Sequence, residues 1–323
     1  MRISYLLAAA VMAVGLAGPV AAQTTLKFGY ALAPNSHYGV AAKSFDENLA
    51  KLAPGKFKIE QFPSSALGGE REMIESLQLG NLEMVVTSSG PVGNFVPEVA
   101  IMDIPFLFRD AAHARAVLDG APGQELLAKF PAKGLVALAW GEQGFRHLTN
   151  SKHPVDTPAD LKGLKIRTME NQVHMIAFRT LGASPTPMAW PEVIQGLQQG
   201  TIDGQENPMS VIVSAKLPEV QKFLTLTRHV YSPALIIMSK RTYDKLSDAD
   251  KTAVQAAAKA GAKDMRAWID QVESKAVSDV QAMGMKVVEK VDTAKFQTAL
   301  EPAFAEYAKR FGKDKIDQIR NFK

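Results

Sequence analysis

Residues 163–208 open with Gly163-Leu164-Lys165-Ile166-Arg167, continue through Gly182-Ala183-Ser184-Pro185-Thr186-Pro187-Met188-Ala189-Trp190 and close on Asp203-Gly204-Gln205-Glu206-Asn207-Pro208. The first motif alternates like a short strand that ends in an arginine, and helices are predicted at about 171–181 and after Trp190. The motifs therefore present a cation, an amide and a flat ring. That combination suits the capture of a small carboxylate better than chemistry on one.

The alternation of strand and helix extends toward both ends of the chain. Helices are predicted at about 38–52 and 70–79, between strands near the N-terminus. Such a βαβαβ order predicts a mainly parallel sheet with crossover helices. Outside residues 163–208, the predicted strands are 26–32, 57–62, 82–87, 135–140, 145–148 and 234–238.

A long helix is predicted to start at the cap Ser247-x-x-Asp250. About 38 helical residues would extend roughly 57 Å, which is more than one domain of this size needs. We therefore predict that the helix lies across two domains, with Gly261 leaving room for a close neighbour. The chain then ends in an amphipathic helical stretch at about 293–311, with a break predicted at Pro302, and a polar tail.

The N-terminus has the pattern of a secretory signal peptide. Arg2 precedes an apolar run from Leu6 to Leu16, and small residues end at Ala22, where we predict cleavage. The run is shorter than the roughly 20 apolar residues of a membrane span, which makes an uncleaved anchor the less favoured alternative. The mature chain is expected to be soluble and exported.

Composition excludes several classes of function. The 37 basic and 33 acidic residues are interspersed, so no basic patch predicts nucleic-acid binding. The chain has no cysteine, which rules out disulfides, a cysteine nucleophile, iron–sulfur clusters and thiolate metal sites. Its six histidines are scattered, and no nucleophile elbow, phosphate-binding loop or metal motif occurs. We therefore predict no catalytic residue, metal or cofactor.

Several residues at predicted strand ends could form a binding site. Arg167 is the best candidate, because open α/β sheets bind ligands at the carboxyl ends of strands and a guanidinium grips a carboxylate with two hydrogen bonds. The alternative is an exposed arginine on an edge strand. Asn207 is either a helix N-cap or an amide facing a cleft, and both can hold together. Trp190 is either a core aromatic or part of the site. Arg146 and Ser88 also end predicted strands, although a lone serine more often forms a turn.

The motifs resemble those of one protein family. The mature chain is similar throughout to the extracytoplasmic solute receptors of tripartite ATP-independent periplasmic (TRAP) transporters, of the C4-dicarboxylate-binding, DctP-like type. Four motifs in this order and spacing are specific for the family, although each is modest alone. They are residues 62–68, 159–167, 182–189 and 203–208.

The resemblance implies an α/β fold of the periplasmic-binding-protein type, type II-like, with two α/β lobes, hinge strands and a long domain-spanning helix. Residues 23–145 and 233–272 are expected to form one lobe, and residues 146–232 and 273–323 the other, after a signal peptide at 1–22.

It also implies a set of ligand-binding residues. The family's carboxylate-binding arginine falls on Arg167, its paired asparagine on Asn207 and its second site arginine on Arg146. Trp190 stands where phenylalanine is common. Ser88 stands where sialic-acid-binding members have a glutamate, which counts against sialic acid. Glu170, Asn171 and His37 are candidate second contacts, with His37 and Ser88 expected on the lobe opposite Arg167.

The implied function is a periplasmic receptor that closes over a small organic acid and delivers it to the small and large integral-membrane subunits of a TRAP transporter. A monomer without nucleic-acid partners is expected. C4-dicarboxylates, sugar acids, aromatic 2-hydroxy or 2-oxo acids and 2-oxo monocarboxylates all remain open as ligands. The alternatives are an exported enzyme acting on a carboxylate, and a receptor that serves a sensor kinase.

Overall fold

The computed structural model describes residues 23–323, which form one mixed sheet with helices on both faces. The strands are β1 (Thr24–Tyr30), β2 (Phe57–Phe62), β3 (Met84–Ser88), β4 (Leu135–Asn150), β5 (Lys165–Thr168), β6 (Ser184–Pro187), β7 (Gly204–Pro208), β8 (Phe223–Ser239) and β9 (Lys286–Val288). The helices are α1 (His37–Leu52), α2 (Glu70–Leu79), α3 (Ser89–Val92), α4 (Ala111–Asp119), α5 (Ala121–Leu127), α6 (Gln172–Thr180), α7 (Trp190–Gln199), α8 (Met209–Ser214), α9 (Lys240–Tyr243), α10 (Asp248–Glu273), α11 (Ala276–Ala282), α12 (Thr293–Ala299), α13 (Glu301–Phe311) and α14 (Lys313–Arg320). The predicted signal peptide lies outside the described residues.

The sheet has two parallel wings joined by antiparallel strands, in the order β2-β1-β3-β8-β4-β7-β5-β6. The first wing consists of β1–β3 with α1 and α2, and the second wing of β5–β7 with α6–α8. Within each wing the pairs β1–β2, β1–β3, β5–β6 and β5–β7 are parallel. In the centre, β3–β8, β8–β4 and β4–β7 are antiparallel. The prediction of a mainly parallel sheet therefore describes the wings and is wrong for the centre.

Strands β4 and β8 cross from one wing to the other. The sequence predicted separate strands at 135–140 and 145–148, whereas β4 is continuous over 16 residues. The intervening residues stay extended through a register shift between Glu142 and Gly144, where glycine adopts a φ of +107°. Strand β8 likewise extends well beyond the predicted 234–238. Two long strands with irregular registers thus connect the wings.

The long helix predicted from Ser247 is broken. Helix α10 ends at Glu273, and α11 begins at Ala276. The buried face of α10, including Ala257 and Met265, packs in the core beneath the first wing. Ala276, on α11, packs instead in the core of the second wing. The helix therefore breaks where its apolar face passes from one core to the other.

The predicted polar tail is also helical. Helix α14 buries Ile316 and Ile319, which are three residues apart and so share a face. The break predicted at Pro302 falls at Leu300, between α12 and α13, with the proline in the first turn of α13. Arg109 donates hydrogen bonds to the carbonyl oxygens of Arg320 and Phe322. The C-terminal segment is thereby tied to the loop before α4.

Gly261 allows α10 to approach α1 closely, as its position on the apolar face predicted. A Cβ at this position would lie 2.7 Å from the carbonyl oxygen of Ala41 in α1. We expect Gly261→Val to lower the free energy of unfolding by about 1–3 kcal/mol, because backbone cannot move aside as a side chain can. Ala256→Val, at an exposed position of the same helix, should cost less than about 1 kcal/mol through helix propensity alone. Urea denaturation of both variants measures the difference, and equal losses would contradict the close approach.

No helix among residues 23–323 is long and apolar enough to cross a membrane.

A candidate carboxylate-binding cleft between the two wings

A small cleft, part of it open to solvent, lies where the wings face each other. It forms at the carboxyl ends of β1 and β5 and at the first turns of α1, α2 and α7. This is the region where open α/β sheets place their ligands. The lining residues are Ala31, Leu32, Tyr38, Glu70, Gln143, Arg167, Met169, Trp190, Asn207 and Val211.

Arg167 supplies a buried cation to the cleft. It lies near the end of β5 and is only 3% exposed. Its Nε and Nη2 atoms both donate to the carbonyl oxygen of Met188, at 2.9 and 2.7 Å. Among residues 23–323, no carboxylate lies within 4.0 Å of its guanidinium, and Nη1 donates no hydrogen bond. Burial, reinforced by the charge of Arg146, lowers the pKa of Arg167 to about 10, although Glu206 acts in the opposite direction. An anion placed beside Arg167 would therefore be strongly favoured.

Asn207 faces the same cleft from β7. Its Oδ1 accepts a hydrogen bond from Nη2 of Arg146 at 3.2 Å, and its Nδ2 donates to Oε1 of Gln205. The alternative that Asn207 caps a helix is wrong, because α8 begins at Met209 with Pro208 in the cap position. Both polar ends of the Asn207 amide are thus oriented by neighbouring side chains.

Arg146 lies behind Asn207 and not on the cleft wall. It is fully buried and forms an ion pair with the equally buried Glu206. Its Nη1 also donates to Oγ of Ser232 at 3.2 Å. Burial alone would raise the pKa of Glu206. The charge of Arg146 nevertheless holds this pKa well below its ordinary value, and His174 and His229 lower it further. Nε and Nη2 of Arg146 are thus held by Glu206 and Asn207, and direct contact between Arg146 and a ligand stays a prediction.

Trp190 forms one side of the cleft beside Arg167. It is the first residue of α7 and half-buried. The Cζ atom of Arg167 lies 5.8 Å from the centroid of its ring. The ring therefore contributes both a flat apolar wall and a favourable contact with the cation.

The opposite wall is formed by residues that the sequence analysis did not identify. Oε1 of Glu70 accepts hydrogen bonds from Tyr38 Oη at 3.1 Å, Thr87 Oγ1 at 3.1 Å and the backbone N–H of Ser88 at 2.7 Å. Burial and the Glu70 carboxylate raise the pKa of Tyr38 well above its ordinary value, so its hydroxyl remains a donor. Glu70 Oε2 accepts no hydrogen bond from any residue that the structure describes. It remains free to accept one from a ligand.

The sequence offered only a weak signal for Glu70. A glutamate in the first turn of a helix is common because the helix dipole favours negative charge there, so this position indicates the start of α2 and nothing more. Gln143 was not predicted as a cleft residue for a different reason. It lies within the irregular part of β4, which the sequence did not predict to be a strand.

The other predicted contacts lie away from the cleft lining. His37 is buried against Tyr38 and Trp268, with ring centroids 4.6 and 6.0 Å away, and burial lowers its pKa to about 3. Ser88 accepts a hydrogen bond from the N–H of Gly90 and is 1% exposed. Glu170 points outward, toward Arg71. The structure thus brings Arg167, Asn207 and Trp190 together and places Arg146, His37, Ser88 and Glu170 around them.

Comparison with known proteins gives one consistent result. Residues 28–310 match the family model described as bacterial extracellular solute-binding protein, family 7. The 2,3-diketo-L-gulonate-binding periplasmic protein of Escherichia coli is 40% identical over 92% of this chain and 90% of its own length.

Two solved structures are close in both sequence and shape. A TRAP periplasmic solute-binding protein from a Bordetella species, with ligand density interpreted as pantoate, has a TM-score of 0.92 and 58% identity over 93% of this chain and 100% of its own. A TRAP periplasmic solute-binding protein from Polaromonas sp. JS666, bound to D-erythronate, has a TM-score of 0.92 and 54% identity over 93% of this chain and 99% of its own.

Proposed function

We propose that this chain, which belongs to the bacterial extracellular solute-binding proteins of family 7, is a receptor that captures a small hydroxylated monocarboxylate and delivers it to a TRAP transporter. The observation that carries this proposal is the unpaired guanidinium of Arg167. Two arginines are buried near the cleft, yet only Arg146 has a carboxylate partner in the part of the chain that the structure describes. Because a buried charge without a partner is costly, a ligand carboxylate is the natural partner of Arg167.

The charge on the opposite wall supports a monocarboxylate. A second carboxylate on the ligand would face Glu70, whereas a ligand hydroxyl could donate to the free Oε2 of Glu70. Gln143 and Tyr38 add neutral polar groups to the same region. The acids named for the three proteins compared above belong to this class, since D-erythronate, pantoate and 2,3-diketo-L-gulonate each combine one carboxylate with hydroxyl groups.

Capture would occur by closure of two lobes around the cleft. We assign residues 23–145 and 233–272 to the first lobe, and residues 146–232 and 273–323 to the second. The crossing strands β4 and β8 would form the hinge, with the register shift at Glu142 and Gly144 next to the boundary in β4. Arg167, Asn207 and Trp190 would then close against Tyr38 and Glu70, and the acid would bind both lobes at once.

The closed receptor is proposed to act as a periplasmic monomer on the small and large membrane subunits of the transporter. It releases the acid there chemically unchanged. Mass spectrometry of the acid recovered after incubation with the protein would detect any conversion and so separate a receptor from an enzyme.

The ligand class is tested by calorimetry and thermal shift with D-erythronate, galactonate and succinate. We expect the two hydroxylated acids to bind more tightly than succinate, with about 2.7 kcal/mol of added stability at a ligand concentration 100 times Kd.

Glu70→Gln should weaken binding of the hydroxylated acids by about tenfold or more, because it removes a charged hydrogen-bond acceptor. It should weaken binding of succinate less. Glu301→Gln, at the exposed first position of helix α13, is the matched control. Tighter binding of succinate by the unmodified protein would overturn the proposed ligand class.

A further inference from the structure

Residues Met169–Asn171, here called the clasp segment, connect β5 to α6 and contact the first lobe at several points. We propose that this segment is a clasp that holds the two lobes together, so that Glu170 and Asn171 act on closure and not on the ligand itself. This inference rests on the proposed function, because a clasp is needed only if the lobes open and close around a ligand.

The outer part of the clasp is formed by Glu170. Its backbone carbonyl oxygen accepts a hydrogen bond from Nδ2 of Asn94 at 2.6 Å, and its Oε1 lies 3.6 Å from Nη1 of Arg71. Arg71 belongs to α2, and Asn94 follows α3, so both partners lie on the side of the first wing. Arg71 and Asn94 are exposed, and exposed ion pairs contribute little. The outer contacts therefore orient the segment more than they stabilise it.

The inner part of the clasp is formed by Asn171, whose amide is used at both ends. Oδ1 caps α6 by accepting the N–H groups of Val173 and His174, at 2.8 and 3.2 Å. Nδ2 reaches the first lobe and donates to Oδ2 of Asp103 at 2.8 Å and to the carbonyl oxygen of Gly90 at 3.3 Å. One side chain thus holds its own lobe in shape and reaches the other lobe.

Asp103 makes this contact energetically important. It is fully buried at the end of a 3-10 turn, Pro97–Asp103, and its Oδ1 accepts a hydrogen bond from Oγ of Ser89 at 2.7 Å. Ser89 and Asp103 both follow β3. Opening of the cleft would remove the only amide that donates to Oδ2 of Asp103 within the described residues. A buried carboxylate that loses a donor is costly, so the Asn171–Asp103 bond favours the closed form.

The clasp segment also borders the cleft that is proposed to bind the acid. Met169 lines the cleft and packs against Gly90, where an added Cβ would lie 2.5 Å from Cε of Met169. Arg167, near the end of β5, precedes Met169 by two residues. A ligand carboxylate that fixes the end of β5 therefore also fixes the start of the clasp, which links ligand binding to closure.

The test is an exchange of the two partners. Asn171→Asp keeps an oxygen to cap α6 but removes the donor and places a second carboxylate against Asp103. We expect this variant to bind D-erythronate at least about tenfold more weakly at neutral pH. Combining Asn171→Asp with Asp103→Asn restores one donor and one carboxylate with their positions exchanged. We expect the double variant to recover most of the affinity. If Asn171 had only a local structural role in capping α6, changing Asp103 as well would not restore binding. Asn81→Asp, which adds the same charge at an exposed position of the first wing, is the control.

Closure itself is measured by energy transfer between dyes on the two lobes. The chain has no cysteine, so Lys51→Cys and Lys162→Cys, both at exposed positions, provide two labelling sites without background. The acid concentration needed for closure should rise for Asn171→Asp and fall back for the double variant. Unchanged binding by Asn171→Asp, or no recovery in the double variant, would overturn the clasp. If the unmodified protein bound no organic acid, the proposed function would fail instead.

Discussion

Arg167→Ala is expected to weaken binding of the organic acid by about 2–5 kcal/mol, or roughly 30- to 4,000-fold. The reason is that a ligand carboxylate would still be enclosed by the cleft but would lose its counter-ion. In the unmodified protein, two guanidinium nitrogens are held in place by the Met188 carbonyl oxygen while Nη1 remains available. The cation is therefore positioned before the ligand arrives, and little ordering cost offsets the interaction. Isothermal titration calorimetry with D-erythronate measures the loss.

Two further variants separate charge from geometry at this position. Arg167→Lys keeps a positive charge but cannot form two parallel hydrogen bonds to a carboxylate, so we expect an intermediate affinity. Arg179→Ala, an exposed arginine in α6, should leave affinity unchanged. A folded Arg167→Ala protein that retained full affinity would show that the carboxylate is held elsewhere.

The position of Arg167 could be predicted because it depends on local rules. Alternation within Leu164–Arg167 defines the strand, and the carboxyl end of a parallel strand is where such sheets bind ligands. The proline-rich segment 182–189, which contains β6, similarly places Trp190 at the start of α7. These features depend on a few neighbouring residues, and the structure brings them to one cleft together with Asn207.

The role of Arg146 could not be predicted in the same way. Its partner Glu206 is 60 residues away, and their contact depends on the antiparallel register of β4 and β7, in which Arg146 lies opposite Pro208. The sequence shows only that both residues belong to predicted strands or motifs. Which arginine is neutralised by a protein carboxylate, and which is left for a ligand, is decided by pairing across the centre of the sheet.

The second contacts of Glu70 and Asn171 could not be predicted, because each residue also has a local structural role. Glu70 opens α2 and Asn171 caps α6, and either role alone explains the residue type. Their second contacts, with the cleft and with Asp103, are made between segments far apart in the chain. Long-range contacts of this kind have no periodic signal in the sequence.

Arg146→Met is expected to lower the free energy of unfolding by about 3–5 kcal/mol, because it leaves the buried Glu206 carboxylate without its counter-ion. The remaining neighbours, His174 and His229, lie 3.6 and 3.1 Å from the carboxylate, and they balance its charge only when protonated. Urea denaturation at neutral pH measures the loss. Arg310→Met, at an exposed position of α13, should stay within about 0.5 kcal/mol of the unmodified protein.

The pH dependence of this loss identifies its cause. In the unmodified protein the pKa of Glu206 is well below its ordinary value, so the ion pair stabilises the fold above the unfolded pKa and this contribution is lost as pH falls through the folded pKa. Without Arg146, burial instead raises the pKa of Glu206, and the variant loses stability as pH rises through that raised value. The difference between the two proteins should therefore narrow as pH is lowered from neutral toward about 4. Arg146→Met combined with Glu206→Met should recover much of the stability, since replacing both members of a buried pair is often neutral. A difference that did not change with pH would mean that lost packing, and not the unpaired carboxylate, causes the destabilisation.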